Sequence, residues 1–345
     1  MAGFLWVSKY DNARHFATNR PSLQARTDRS VTARQQEELK YRYSAGMHHK
    51  LTPATALWLT IPPLLWAGNA VMGRMVGPLV PPITLNFLRW IGALLILLPL
   101  AHGLFKPSSG LWTHWRRFGL LGLLGVGCYN ALQYLALKTS SPMNVTLVAA
   151  SSPVWMLGIG ALFFQAQVHR RQLLGAALSL AGVAVVLSRG DVAHLLDVQF
   201  VIGDVFMLLA TACWAWYSWL LSRRDEPEHI RASWAAFLLA QVVYGLGWSG
   251  LFTAMEWGTT DAHIVWGWPL AAALVFVAVG PAVVAYRFWG LGVQQAGPAV
   301  AGFFANLTPL FAAILSTLVL GEAPHLYHAA AFGLIVGGIV VSSRR

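Results

Sequence analysis

The length of its uncharged runs constrains this chain most. Phe288 to Gly321 contains no Asp, Glu, Lys, Arg or His in 34 residues, and Ala232 to Met255 contains none in 24. A helix needs about 20 predominantly apolar residues to cross a bilayer, where backbone polar groups must be bonded within the segment. The runs do not alternate with a period of two, which excludes a membrane β-barrel. Of 345 residues only 11% are charged, too few to coat a soluble surface. The net charge of +11 lies in a tail and in short loops between apolar runs, so it concerns membrane orientation and excludes a nucleic-acid binder.

From Ala54 the pattern predicts spans near 54–73, 83–102, 118–137, 143–165, 172–189, 202–222, 232–254, 269–292, 298–320 and 324–342. Breakers mark most connections: Gly77-Pro78 with Pro81-Pro82, Ser140-Ser141-Pro142, and Ala296-Gly297-Pro298. A Trp-rich connector, 255–268, is expected at the membrane interface. Cys128 and Cys213 fall in separate runs without CxxC spacing, and read as small buried apolar residues rather than as a disulfide or zinc framework.

Basic residues near span ends are retained in the cytoplasm. With the N-terminus inside, the inner loops and C-terminus carry ten: Lys106, Arg116, Arg117, Arg170, Arg171, Arg223, Arg224, Arg231, Arg344 and Arg345. The outer loops carry three, Arg74, Lys138 and Arg189, and the tail before the first span carries nine. Both termini are therefore expected in the cytoplasm, with the protein in the inner membrane.

The second half repeats the first. A shift of 156 residues places Ser141-Pro142 on Gly297-Pro298, Ser152-Pro153 on Thr308-Pro309, and Ala181-Gly182-Val183 on Gly337-Gly338-Ile339. A shift of 148 places Trp66-Ala67 on Trp214-Ala215. Five spans per copy is an odd number, so the copies insert with opposite orientation. Inverted repeats of this kind belong to secondary transporters, with the substrate between them near the midplane. The expected fold is an all-α integral membrane protein, ten transmembrane helices as two inverted five-helix repeats, residues 54–189 and 202–345.

Leu65-Trp66-Ala67-Gly68-Asn69, Phe87-Leu88-Arg89, and Ala131-Leu132-Gln133-Tyr134-Leu135-Ala136-Leu137-Lys138 running to Pro153 resemble the EamA-type repeat of the drug/metabolite transporter superfamily. Gly321-Glu322-Ala323-Pro324 through Gly333 and Gly337-Gly338 resemble the end of its second copy. The resemblance covers residues 54–345 and implies carriage of amino acids, drugs, sugars, nucleotide sugars or other metabolites. The chain departs from the family in one respect: Glu322 has its first-repeat counterpart at Ala166, where family members often carry a second Glu.

Residues 1–53 form a basic tail without fold signal or the apolar stretch of a signal peptide. They read as a disordered cytoplasmic tail or as an over-extended gene start, and the second reading, with translation beginning at Met47, is favoured.

Polar side chains within spans are costly and face a cavity or another helix. Trp66 and Asn69 share a face of the first span, and Trp214 and Tyr217 repeat that spacing in the sixth. Such residues suit a small amphipathic or aromatic solute, although packing between helices explains them equally well. Arg89 is placed to snorkel to the outer surface or to meet substrate. Arg287, beside Tyr286, is a candidate for a carboxylate or phosphate. Asn130, Tyr134, Asn144 and Asn306 are substrate or interhelical hydrogen-bonding candidates. Pro153 and Pro309, at matching positions, are expected to kink their helices and to serve gating. Gly175 with Ser179, and Gly333 with Gly337, form small-residue packing faces.

His325 and His328 lack an embedded carboxylate or thiol beside them, so no metal site is expected. No Walker loop is present, and no cofactor is expected. The competing class, an integral-membrane enzyme or assembly factor, would need an embedded catalytic set. The first five spans contain no acidic residue, and of the later ones only Asp204 and Glu322 lie near the membrane as possible proton-coupling sites. The favoured reading is a secondary transporter, an exporter of a small-molecule substrate across the lipid bilayer, acting as a monomer or homodimer. A reporter fused after Arg345 should be active in the cytoplasm and one fused after Asp191 in the periplasm; the reverse pattern would overturn the topology.

Overall fold

A computed structural model describes residues 51–140, 142–191, 193, 200–320 and 326–344. Among them all regular structure is helical. The main helices are α1 (Pro53–Val76), α2 (Pro82–Ala101), α3 (Trp115–Thr139), α4 (Pro142–Ala149 continued by Ser152–Phe164) and α5 (Arg170–Leu187). They are followed by α6 (Ile202–Ser222), α7 (Trp234–Thr259), α8 (Trp268–Ala296), α9 (Pro298–Ala305 continued by Leu307–Leu320) and α10 (Leu326–Ser343). Eight helices among the described residues are long and apolar enough to cross a bilayer. α1 and α9 fall outside that set; Pro62 and Pro63 lie inside α1, and α9 is counted as a shorter apolar helix over its described residues.

Local chemistry sets the helix ends. The Thr52 hydroxyl accepts from Thr55 N at 3.1 Å, and Pro53 follows where a missing N–H costs nothing. Ser233 caps α7 through Ala236 N. Gly297, between α8 and α9, has φ 83, a conformation that a side chain resists.

Irregularities recur in register. α3 is π-helical over Gly122–Cys128 and α8 over Ala278–Val284, again 156 residues apart. α4 breaks at Ala150 and Ser151, and α9 breaks at Asn306. Pro153 and Pro309 therefore do not kink continuous helices: each lies in the first turn of a second helical piece, where no intrahelical partner is lost. α7 continues to Thr259 and absorbs Glu256 and Trp257, which the sequence placed in a connector.

The packing crosses between the halves. α1 packs against α8 and α9, and its counterpart α6 against α3 and α4, while α2 pairs with α7 and α5 with α10. The α5–α10 contact is close because Gly175 and Ser179 meet Gly338; a Cβ on Gly175 would stand 2.7 Å from the Gly338 carbonyl oxygen. Gly333 and Gly337 face open space instead, so the packing face of α10 is displaced from the expected one.

Charged residues fasten the two ends. Buried Glu256 near the end of α7 accepts from Ile83 N at 3.1 Å and from Thr84 N and Oγ1, each at 2.8 Å. The carboxylate thus satisfies orphan donors at the positive end of α2. At the opposite end, Glu226 receives Arg117 Nε at 3.1 Å and also binds Arg231, while Arg117 Nη2 donates to Leu220 O at 2.6 Å.

Gly175→Leu should lower the stability of the detergent-solubilised protein by about 1–3 kcal/mol in a denaturation titration, as overpacking does. Gly337→Leu should change it little, and equal effects would contradict this assignment of the α5–α10 face.

Candidate substrate-binding site

Near the middle of α1, α2, α3 and α6, rings from both halves converge. Trp214 lies 5.1 Å from Trp66, 5.3 Å from Trp289, 5.0 Å from Tyr129, 5.1 Å from Tyr217 and 5.5 Å from Tyr286, centroid to centroid. Trp90 joins through Tyr286 at 4.9 Å. Edge-to-face and tilted pairs dominate, as ring quadrupoles favour. Trp90, Trp214 and Trp289 are buried, whereas Trp66 and Tyr129 are half-buried.

Hydrogen bonds fix the rings. Trp289 Nε1 donates to Ser218 Oγ at 3.1 Å, and that hydroxyl donates to Trp214 O at 2.8 Å. Tyr217 donates to Gln241 Oε1 at 2.9 Å. The π-helical section of α3 presents carbonyls to side chains: Gly125 O accepts from the Tyr286 hydroxyl, and Val126 O from Asn86 Nδ2 at 3.0 Å. Asn86 in turn accepts from Trp90 Nε1 at 3.1 Å. The section approaches α7 closely, because a Cβ on Gly122 would stand 2.7 Å from Gln241 O.

Arg89 is fully buried and does not reach a surface, contrary to the snorkelling expectation; its Nη1 donates to Asn130 Oδ1 at 2.8 Å. Tyr134 donates to Asn69 Oδ1 at 3.3 Å, tying α3 to α1. A cavity of about 320 Å³ between α6, α7 and α8 has Tyr217, Gln241 and Tyr286 on its wall and Arg231, Trp234 and Arg287 also lining it. Arg287 is exposed there, its guanidinium carbon 4.5 Å from the Trp234 ring centroid.

Of the sequence candidates, the structure gathers Trp66, Trp214, Tyr217 and Tyr286 in one ring cluster and pairs Arg89 with Asn130 and Asn69 with Tyr134. Asn306 lies apart and donates to Ser179 Oγ of α5 at 2.9 Å. Asp204 is buried as a cap, accepting from Val201 N at 2.8 Å and from the Ser140 hydroxyl. The Asn144 side chain and Glu322 lie outside what is described. Sequence reasoning missed Trp90, Tyr129, Trp289 and Glu256. The same three-residue spacing that paired Trp66 with Asn69 pairs Tyr286 with Trp289, and it turns the intervening Arg287 to another face. Cys128 and Cys213, assigned no relation in sequence, lie near each other on the packed helices α3 and α6, and both are free thiols.

Comparison with known proteins agrees with this architecture. The model of the EamA-like transporter family matches twice, over residues 54–188 and 201–344. An uncharacterized transporter of Archaeoglobus fulgidus is 26% identical over 295 residues, covering 84% of this chain and 98% of its own. The aromatic amino acid exporter YddG of Ancylobacter novellus is 26% identical over 288 residues, covering 81% and 93%. A solved crystal structure superposes with a TM-score of 0.63 at 25% identity, covering 84% of this chain and 96% of the other. The names point to transport rather than catalysis, and the apolar helices to a multi-pass membrane protein acting on a small molecule. The chain belongs to the EamA-like transporter family.

Proposed function

We propose that this transporter exports a small amphipathic solute across the inner membrane by alternating access of two inverted five-helix repeats, residues 54–189 and 202–345, with both termini in the cytoplasm. The observation that carries the reading is the ring cluster, to which α1, α2 and α3 of one half and α6 and α8 of the other contribute. Rings drawn from both repeats grip a solute only while the helices that carry them are together, so moving those helices apart releases it.

The cavity beside the cluster supports loading from the end that carries Arg224, Arg231 and Arg287, the end that the basic-loop count places in the cytoplasm. Arginines at that mouth draw anionic or zwitterionic solutes toward it. The name of the Ancylobacter relative adds support for an amino-acid-sized cargo with a ring. The breaks before Pro153 and Pro309 give each half a matched place to bend. Asp204 is committed to capping α6, which favours exchange without obligatory proton movement.

Cys128 and Cys213 offer a test, because they lie near each other on helices of different repeats. In proteoliposomes, oxidising this pair to a disulfide should stop flux of an aromatic amino acid. Reductant should restore the flux, Cys128→Ser should be insensitive to oxidant, and exchange should need no imposed pH gradient. Undiminished flux through fully cross-linked protein would contradict alternating access at this interface, and exchange that requires the pH gradient would contradict the uncoupled reading.

A further inference from the structure

Arg89 has no exposed surface, and only one edge of its guanidinium is used within the protein. Nη1 donates to Asn130 Oδ1 at 2.8 Å, while Nε and Nη2 have no acceptor among the described residues. Those two nitrogens form one side of the planar group and present two parallel N–H bonds. That geometry matches the two oxygens of a carboxylate.

A buried cation needs a counter-charge, and the described acidic residues are otherwise committed or distant. Glu226 serves Arg117 and Arg231, Glu256 caps α2, and Asp204 caps α6. Asp191, Asp225, Glu228 and Asp261 are exposed at helix ends or in loops. Among the described residues no carboxylate pairs with Arg89.

The guanidinium lies beside the ring cluster. The guanidinium carbon is 5.1 Å from the Trp90 ring centroid, and Trp90 packs on Tyr286, which lines the cavity. Tyr129, next to Asn130 in the chain, packs on Trp214 and is only half-buried. One uncompensated buried charge calls for a singly charged anion. Arg287 is exposed over Trp234.

We propose that the cargo is a small monocarboxylate with an aromatic or bulky apolar body: its carboxylate takes the Nε–Nη2 edge of Arg89, its body lies on the ring cluster, and an amino group is dispensable. The identity of this ligand as cargo rests on the transport reading above; its binding does not.

Thermal unfolding of the purified full-length chain in detergent tests binding without transport. Phenylpropanoate and L-phenylalanine should both raise the midpoint, and phenethylamine, which keeps the ring and amine but lacks the carboxylate, should not. Asn130→Asp gives the guanidinium an internal counter-ion, so this variant should stay folded and bind both carboxylates about tenfold more weakly or worse, the expected loss for a hydrogen-bonded charge pair. Arg89→Lys should keep a weakened response and Arg89→Gln none. The proposal is overturned if phenethylamine stabilises as well as the carboxylates do, if Asn130→Asp binds them as wild type does, or if neither carboxylate shifts folded wild type. Counterflow separates the two readings. Protein that carries other solutes but ignores carboxylates defeats the Arg89 site alone, whereas protein that binds carboxylates but moves no solute defeats transport and leaves the site standing.

Discussion

Inside a bilayer no water is at hand to satisfy a backbone or side-chain polar group, and the centre of this molecule is arranged around that constraint. The π-helical section of α3 shifts its backbone pairing by one residue, and its carbonyls at Gly125 and Val126 are reached by side-chain donors. Tyr286 from α8 and Asn86 from α2 bind them, and Asn86 also holds the Trp90 indole. One backbone irregularity in α3 thus brings side chains of α2 and α8 to a point, and the remaining rings pack around it. Irregular backbone of this kind is tolerated in a membrane where protein or a cavity surrounds it, and π sections often mark functional positions.

The same constraint governs the two ends. Glu256 answers the first N–H groups of α2, and Glu226 answers Arg117 and Arg231. Each carboxylate joins a helix of the first half to an element of the second. Both contacts are short, buried and built from few groups, so they can separate without disturbing the apolar packing of α5 on α10. The firm α5–α10 interface is apolar and the fastenings at the ends are polar, so the two kinds of contact between the halves can be made and broken independently.

Much of this was legible in sequence because membrane helices declare themselves by length and apolarity. The 156-residue offset read from Pro153 and Pro309 also relates the π-helical sections, whose Gly-rich or Pro-containing composition gave no warning of the altered hydrogen bonding. Trp66, Trp214 and Tyr217 were found because bulky polar-tipped rings at three-residue spacing mark a face. Trp289 was missed because attention went to the neighbouring charge at Arg287. Glu256 was missed because apolarity alone ended α7 too early: a buried carboxylate that caps another helix, 173 residues away from Ile83 in sequence, leaves no local trace. The meeting of Cys128 with Cys213 is likewise a product of tertiary packing.

If rings from both halves form one cargo site, as proposed above, solute counterflow depends on a ring from each half. Proteoliposomes preloaded with an unlabelled aromatic amino acid should transiently accumulate the labelled form through wild type. The account predicts that Trp66→Leu in one half and Trp214→Leu in the other each abolish that overshoot with the protein still folded, while Trp268→Leu, at a residue 82% exposed, does not. Full counterflow in folded Trp66→Leu or Trp214→Leu protein would contradict the claim.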